Sequence, residues 1–552
     1  MDQATTAGAG EILSEIEDAS PPPTIGGAVP DSQHGERTSP PCGRWPGAWL
    51  AVVSLLAVAV YWLIKDSLID DSYITLAYAR NLALHFHWGL IPQETANSAT
   101  SPLNVLLLAA LMDVLRFSGG VHEGLAVGAL FVACMLAVGW AWLRIGRALR
   151  LPSWVPAFGA LLVLVNPFVL SATGLEVHLI AAAMLHLVLM AVERRPVWFG
   201  VMGGFAVVVR ADLVILVVCI ALGSAAIRGQ LGRAALTTIA VGAPWYLFSW
   251  IHFGSAIADT LVVKMLDHSF NGHTYIEGPL FYLRLNDIHD THQHDSVFLG
   301  TVASFASAAA GLLALLVWFG LRLARCGGAD RLDPVASAAL GGCVYYGAYS
   351  LLGVPPYQWY FVVPILAPSL FLLVALGALA QLVRRAWVAI AAFTIAVATV
   401  LAAVLVDVRH GLPWSTPVIF GNWATRADYE RVGTELARRV GDAGVVAPPE
   451  IGTAAYFCNC AMLDRFSDRG RVIPLIDAQI QQSGPIAKAL LSVNYLWLNR
   501  AQEPRSAQYA IRWEWGRVPV QMSGKRGHRR RALPTSPCCL SNDPCPDSVV
   551  LR

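Results

Sequence analysis

Ile69–Gly89 reads IDDSYITLAYARNLALHFHWG and follows GAWLAVVSLLAVAVYWLI, Gly47–Ile64. The second run is long and apolar enough for a membrane span. The first places two carboxylates, Asp70 and Asp71, at the far end of that span. A carboxylate pair at a membrane boundary is costly unless it is solvated or used. An aromatic and basic segment follows, Tyr73 to Gly89, with Tyr78, Arg80, His85, His87 and Trp88. Its pattern suits a helix lying flat in the interface. Then comes NSATSPLNVLLLAAL, where Thr100, Ser101 and Pro102 open a new apolar helix. Read alone, the pair is either a solvated helix end or a proton acceptor.

The surrounding chain supports a membrane setting. Its 552 residues are 56% apolar and 14% charged, whereas a soluble domain carries about 25% charged residues. Mean hydropathy is +0.54. Apolar runs recur at 47–64, 102–116, 123–143, 153–172, 175–192, 198–225, 234–252, 296–319, 335–353, 359–381 and 386–408. They predict an α-helical polytopic membrane protein with about 10–12 transmembrane helices. A net charge of +2, with no basic patch on a soluble fold, excludes nucleic acid as a partner class.

Charge sets the orientation. Arg322, Arg325 and Arg331 lie between two spans, and Arg384 with Arg385 between two more. The positive-inside rule puts both loops in the cytoplasm. The loop 253–295 and everything after Val406 then lie outside. Arg144, Arg147 and Arg150 also favour the cytoplasm, against simple alternation. A helical hairpin over 198–225, broken at Arg210–Ala211–Asp212, with an incomplete crossing at 102–116, repairs the count.

The predicted organisation has four parts. Residues 1–46 are a Pro-, Gly-, Ser- and acid-rich disordered cytoplasmic tail, not a signal peptide. Residues 47–408 are the transmembrane domain, with outer loops 65–101 and 253–295. Residues 409–520 are a small extracytoplasmic α/β domain, with an amphipathic helix over 424–438 and a strand, turn and helix start in GVVAPPEIGTAAYF. Residues 521–552 are a disordered tail. Cys134, Cys219 and Cys343 read as packing residues in apolar helices. Cys458, Cys460, Cys538, Cys539 and Cys545 lack zinc-site spacing, but outside the cytoplasm they are free to form disulfides.

Several side chains are candidates for chemistry. Arg210 inside an apolar stretch must be paired or functional. It either forms an internal salt bridge with Asp212 or Glu176, or grips a phosphate with its planar fork. Lys264 in the outer loop is a second phosphate candidate, or a solvated lysine. Tyr357, Trp359 and Tyr360 suit either a sugar face or an interfacial aromatic belt. His268, His273, His289, His292 and His294 cluster in the outer loop, where solvated histidines are more common than metal sites. Glu450, Asp464 and Asp468 fit turn or helix-cap roles.

DDSYITLAYARNLA, then Gly89-Leu90-Ile91-Pro92 and TSPLNVLLLA, resembles the GT-C superfamily of polyprenyl-phosphate-sugar-dependent glycosyltransferases. Within it, the chain is similar to actinobacterial cell-envelope arabinofuranosyl- and mannosyltransferases. Further resemblance lies in Gly174-Leu175-Glu176 and in Arg210-Ala211-Asp212, where related chains often have Arg-Pro-Glu. It continues in Phe253-Gly254-Ser255 leading to Asp259-Thr260 and Lys264, with Asp in place of a usual Asn. Pro355–Tyr360 and Pro449–Thr453 complete the series, whose order is its specific part. The resemblance spans residues 65 to about 475.

The resemblance implies an enzyme that moves one sugar, mannose or arabinofuranose, from a polyprenyl-phosphate donor to an envelope polysaccharide or lipoglycan. It implies an active site on the outer face of the cell membrane and a catalytic carboxylate in the first outer loop. Asp70 is the expected base, and Asp71 orients it, binds acceptor or holds a cation. Arg210 and Lys264 are expected at the donor phosphate, and Arg80, Glu176, Tyr357 and Trp359 at the substrates. Members differ in metal use, so a divalent cation is left open and no other cofactor is implied. The competing readings are a transporter, which would show internal repeats and mid-membrane charges, and a non-catalytic assembly protein that keeps the fold.

Overall fold

The computed structural model describes residues 46–116, 120–266, 270–284, 291–325, 327–419, 424–448, 450–512 and 548–550. Both expected tails fall almost wholly outside these. The chain opens with α1 (Pro46–Ile64), α2 (Asp70–His85) and α3 (Pro102–Val114). Next come α4 (Glu123–Ala148), α5 (Trp154–Leu164), the single turn α6 (Pro167–Leu170), α7 (Val177–Val192), α8 (Pro196–Val209), α9 (Val214–Gly223), α10 (Ala225–Arg228) and α11 (Leu231–Phe253). The following loop carries α12 (Thr260–Met265) and α13 (Gly278–Arg284). Four long helices follow: α14 (Thr291–Leu323), α15 (Asp333–Leu352), α16 (Val362–Val383) and α17 (Ala386–His410). The remainder holds α18 (Arg426–Val440), β1 (Val445–Val446), α19 (Ile451–Cys458), β2 (Met462–Leu463), α20 (Arg469–Gln482), α21 (Pro485–Asn494), β3 (Tyr509–Arg512) and β4 (Ser548–Val550).

Seven of the described helices are long and apolar enough to cross a membrane, and five more are apolar but shorter. The protein is a multi-pass α-helical membrane protein. α16 is the most enclosed of the long helices and α11 the least. That contrast separates a bundle centre from a lipid-facing edge, because apolar surface needs no protein cover in a bilayer.

The arginines settle how the helices alternate. Trp49 donates to the Gly139 carbonyl and Tyr61 to that of Gly124, so α1 and α4 run antiparallel. Arg150, Arg194, Arg228, Arg322, Arg325 and Arg331 line one open cavity at one end of the bundle. For Arg150 and Arg228 to meet there, α8 and α9 must turn back, and they do. Val217 on α9 lies against Gly203 on α8. The turn is at Arg210, whose backbone is extended at φ −156°, ψ 132°.

α3 has 13 residues, about 20 Å, short of a roughly 30 Å hydrocarbon core. The chain leaves it for Glu123, which ion-pairs with Arg426 of α18, at the end of α4 opposite the arginines. The expected hairpin and incomplete crossing both match this arrangement.

The segment expected as an amphipathic helix over Tyr73–Gly89 is helical in α2 as far as His85, and α2 is largely covered by protein. Tyr73, Leu76, Ala77 and Tyr78 are all buried. Tyr78 packs on Trp88 and donates to the Ala96 carbonyl, and α19 covers Tyr73, with Tyr456 and Phe457 at ring distances of 5.5 and 5.1 Å. The cover comes from residues almost 400 positions away, which local periodicity cannot show. Behind α19 runs a parallel sheet in the order β2-β1-β3-β4, with Val445 paired to Met462 and Tyr509.

Candidate active site

Asp70 is the first residue of α2 and points at the first turn of α19. Its carboxylate accepts from Gly452 N at 3.0 Å, Thr453 N at 2.7 Å and Thr453 Oγ1 at 2.7 Å. The open amides of a helix start are natural partners for a carboxylate. Gly452 is required by space: a Cβ there would sit 2.0 Å from the Asp70 carbonyl oxygen. Burial, and then the charge of Asp71, push the Asp70 carboxyl up to about 6, against the hydrogen bonds from Thr453 and Gly452. It is thus a carboxylate fixed in place and poised near neutral pH.

Asp71 turns the other way. Its carboxylate faces the Lys264 ammonium at 3.7 Å, and its side chain is 31% exposed against 10% for Lys264. α12 presents Lys264 to an aromatic wall from the loop before α16. The ammonium lies 4.2 Å from the Tyr357 ring, 5.0 Å from Trp359 and 5.5 Å from Tyr360. Burial alone would lower the lysine pKa, but Tyr360, Asp71 and Tyr357 more than offset it, and it stays above the ordinary value. Lys264 is therefore a permanent cation in an aromatic box.

Two cavities meet at this lysine. One, of about 100 Å³, is lined by Asp70, Asp71, Glu176, Tyr357 and Trp359 with Lys264. The other, of about 310 Å³, is largely apolar and is lined by Trp245, Leu261, Leu352 and Val354, with Arg210 and Lys264 as its cations. Lys264, Thr260, Ala99 and Thr100 belong to both walls.

Arg210 has a different environment. It donates to Glu176 at 2.8 Å and Asp212 at 2.7 Å, and to the Tyr349 hydroxyl at 2.6 Å. Tyr345 and Tyr349 also donate to Asp212. The guanidinium stacks over Tyr360 at 5.1 Å. Arg210 is thus bound to both carboxylates that sequence offered as partners. One cation between two anions leaves the cluster net negative, so it is a weaker anion receptor than Lys264.

The structure gathers Asp70, Asp71, Glu176, Lys264, Tyr357 and Trp359 around one cavity. Arg80 is placed elsewhere. Its guanidinium donates to the Tyr456 carbonyl at 2.7 Å and to Asn459 at 2.8 Å, and stacks over Tyr456. It lines neither cavity and holds the far end of α19 to α2. Asn459 lies between Cys458 and Cys460, which form a disulfide; Cys538, Cys539 and Cys545 lie outside the described residues. Glu450 accepts from the Tyr429 hydroxyl, and Asp464 caps its own turn through Phe466 N and Ser467 N.

Sequence reasoning missed Thr453, Tyr345 and Tyr349. Pro449–Thr453 was legible as a motif, but its glycine and threonine carried no sign of a carboxylate partner. His268 and His289 lie outside the described residues, as do the side chains of His292 and His294; His273 pairs with Glu277. Among the described residues no three His, Cys, Asp or Glu side chains gather at metal-binding range. Asp70 already accepts three N–H and O–H bonds, and an ammonium faces Asp71. This donor set does not fit a divalent cation.

No family model matches the chain, and no curated protein matches it. Solved structures do. The oligosaccharyltransferase of Archaeoglobus fulgidus superposes over 82% of this chain and 69% of its own, at 12% identity and a TM-score of 0.50. ArnT from Cupriavidus metallidurans covers 81% of this chain and 90% of its own, at 12% identity and 0.48. Arabinofuranosyltransferase AftD from Mycobacteria covers 73% and 29%, at 16% and 0.41. The chain has the GT-C fold. At such identities the likeness is one of fold, and function has to be argued from the site.

Proposed function

We propose that this protein is a membrane glycosyltransferase that moves one sugar from a polyprenyl-phosphate donor to a cell-envelope glycan or lipoglycan. The carrying observation is Lys264, the shared wall of an apolar groove and a carboxylate-lined pocket. An apolar groove suits the polyprenyl chain, a buried cation suits the phosphate, and the smaller polar pocket suits the sugar and the acceptor hydroxyl. One archaeal oligosaccharyltransferase structure holds a dolichol-phosphate and one ArnT structure undecaprenyl phosphate, which supports a lipid-phosphate donor for this fold. The transferred sugar is mannose or arabinofuranose.

The transfer balances without a metal. The acceptor oxygen attacks the anomeric carbon as its proton passes to a carboxylate. The bond from that carbon to the phosphate oxygen breaks, and the polyprenyl phosphate leaves against Lys264. Charge that develops on the leaving oxygen meets a largely buried ammonium, and such stabilisation strengthens as water is excluded. Asp70 is the base on this reading, because its carboxyl is raised to about 6 and anchored. Asp71 as base is the second reading, favoured by its position facing Lys264 and by the three donors that already occupy Asp70. Gathering of the arginine-bearing ends at one face supports an outer location for the site, by the positive-inside rule.

The test is transfer of radiolabelled sugar by the full chain in vesicles, with polyprenyl-phosphate mannose and arabinofuranose compared. One of the two is expected to serve. Asp70→Asn is expected to lose about 10²–10⁴-fold in rate while still inserting. Near wild-type turnover in Asp70→Asn, with that loss in Asp71→Asn, would move the base to Asp71. Turnover with neither donor would contradict the proposal.

A further inference from the structure

The helix that no part of this reading uses is α21. Its exposed apolar residues form one stripe: Ile486, Leu490, Val493 and, in the turn that follows, Trp497. The spacing of four, three and four keeps them on one face of a helix. They are 80, 68, 58 and 59% exposed, and Leu496 beside them is 60% exposed. The other side is already satisfied. Leu491, Tyr495 and Leu498 pack with Val262 and Val263 of α12 and Val472, Ile473 and Ile476 of α20. The outward stripe is thus surplus to the protein's own core, and such a patch marks an interaction surface.

The position of the stripe says what covers it. α21 is tied to the outer end of α11, a span with little protein cover. Trp250 donates to the Val493 carbonyl at 2.9 Å, and Ile257 N donates to Asn494 at 2.9 Å. Gly254 closes the approach. It has φ +78°, and a Cβ on it would sit 2.7 Å from the Leu498 Cα. Phe248 and Ile251 of α11 are themselves open, at 48 and 69%. The α21 stripe therefore continues the apolar band of a membrane-facing helix. Ile257 also lines the apolar groove, together with Trp245 and Tyr246 of α11.

We propose that α21 lies embedded in the leaflet boundary on the site side, and that it flanks the opening through which a polyprenyl chain passes from the bilayer into the groove. The occupant of the stripe is lipid. Embedding rests on exposure and position alone; the role in donor entry rests on the function proposed above. An amphipathic helix with aromatic and aliphatic residues on one face binds in this way. It would hold the groove mouth at acyl-chain depth and steady α12, which carries Lys264.

The experiment uses the full chain in vesicles of phosphatidylethanolamine and phosphatidylglycerol. A spin label is introduced through an unnatural amino acid, so the native cysteines stay intact. Positions 490 and 493 are compared with Lys488 and Ser492, exposed residues off the stripe. Collision with oxygen is expected to exceed collision with a water-soluble nickel chelate several-fold on the stripe, and the order to reverse off it. Equal nickel accessibility at all four positions would overturn the embedding. So would exclusion of both reagents in a protein that runs as a dimer, which would assign the stripe to a second copy. In a second arm, Leu490→Glu with Val493→Glu is expected to raise KM severalfold for a long-chain donor, since a charge near the membrane interface carries only a modest cost. KM for a two-isoprene analogue should stay unchanged. An equal effect on both donors would overturn the entry role. Absence of transfer from any donor, with the stripe still in lipid, would reject the enzyme reading and leave the embedding standing.

Discussion

Arg210 and Lys264 are two cations beside one tyrosine, and their surroundings assign them different work. Arg210, at the break between α8 and α9, meets Glu176, Asp212 and Tyr349. Lys264, on α12, meets one carboxylate at 3.7 Å, aromatic faces and the side chain of Tyr360, which hydrogen-bonds it. Ring faces attract a cation without neutralising it. On the proposed function, the guanidinium is engaged inside the protein and the ammonium receives the arriving anion. An ionisable residue in an apolar region is thus a functional sign only after its partners are counted.

The largest expected effect breaks the Arg210 side of the comparison. Arg210→Met leaves the buried Glu176 and the half-buried Asp212 without their cation, a loss that for a buried pair is about 3–5 kcal/mol. A thermal melt of the detergent-solubilised protein should show the loss. Adding Glu176→Gln and Asp212→Asn should restore most of it. A melt unchanged by Arg210→Met would mean that the cluster is not the structural hub described above.

A smaller effect concerns the grip on Asp70. Thr453→Val removes one hydrogen bond to the carboxylate and keeps the backbone one, a change of about 1–2 kcal/mol. The sign follows from the lost bond. The Thr453 hydrogen bonds lower the Asp70 pKa, so their loss raises it. If Asp70 is the base, its deprotonated form is active, and kcat/KM falls as pH drops through about 6 in the wild type. Thr453→Val should move that limb to higher pH. A limb that stays put in Thr453→Val but vanishes in Asp71→Asn would favour Asp71.

The smallest effect sharpens the Lys264 side. Trp359→Leu removes one wall of the aromatic box, worth about 0.5–2 kcal/mol. It should raise donor KM severalfold, with no change in the pH limb. A shift of the limb with unchanged KM would place Trp359 at the carboxylates instead.

Much of this architecture can be read in the chain. Hydropathy locates the spans, and the arginine ends require the reversal at Arg210–Asp212, because a charged tripeptide cannot sit mid-helix in lipid without a cavity. The carboxylate pair and Lys264 are visible as residues out of place. Their partners are not. Thr453 is an ordinary threonine until α19 docks on α2, nearly 400 residues from Asp70. Tyr345 and Tyr349 sit in an apolar helix, where a tyrosine reads as packing. Arg80, which the resemblance placed at the substrates, donates to the carbonyl of Tyr456 on α19 and lines neither cavity. The stripe on α21 is not singled out in the sequence, and its exposure is what distinguishes it from a core face.

The central claim is that Lys264 receives the leaving phosphate. Donor titration of sugar transfer in vesicles, with wild type, Lys264→Met and Lys264→Arg, tests it most directly. Loss of one preorganised charge from such a site costs about 10²–10³-fold in rate. Lys264→Met is predicted to lose that much kcat/KM for the donor while the protein still folds and inserts, and Lys264→Arg to recover part of it. Wild-type kcat/KM in Lys264→Met would contradict the account.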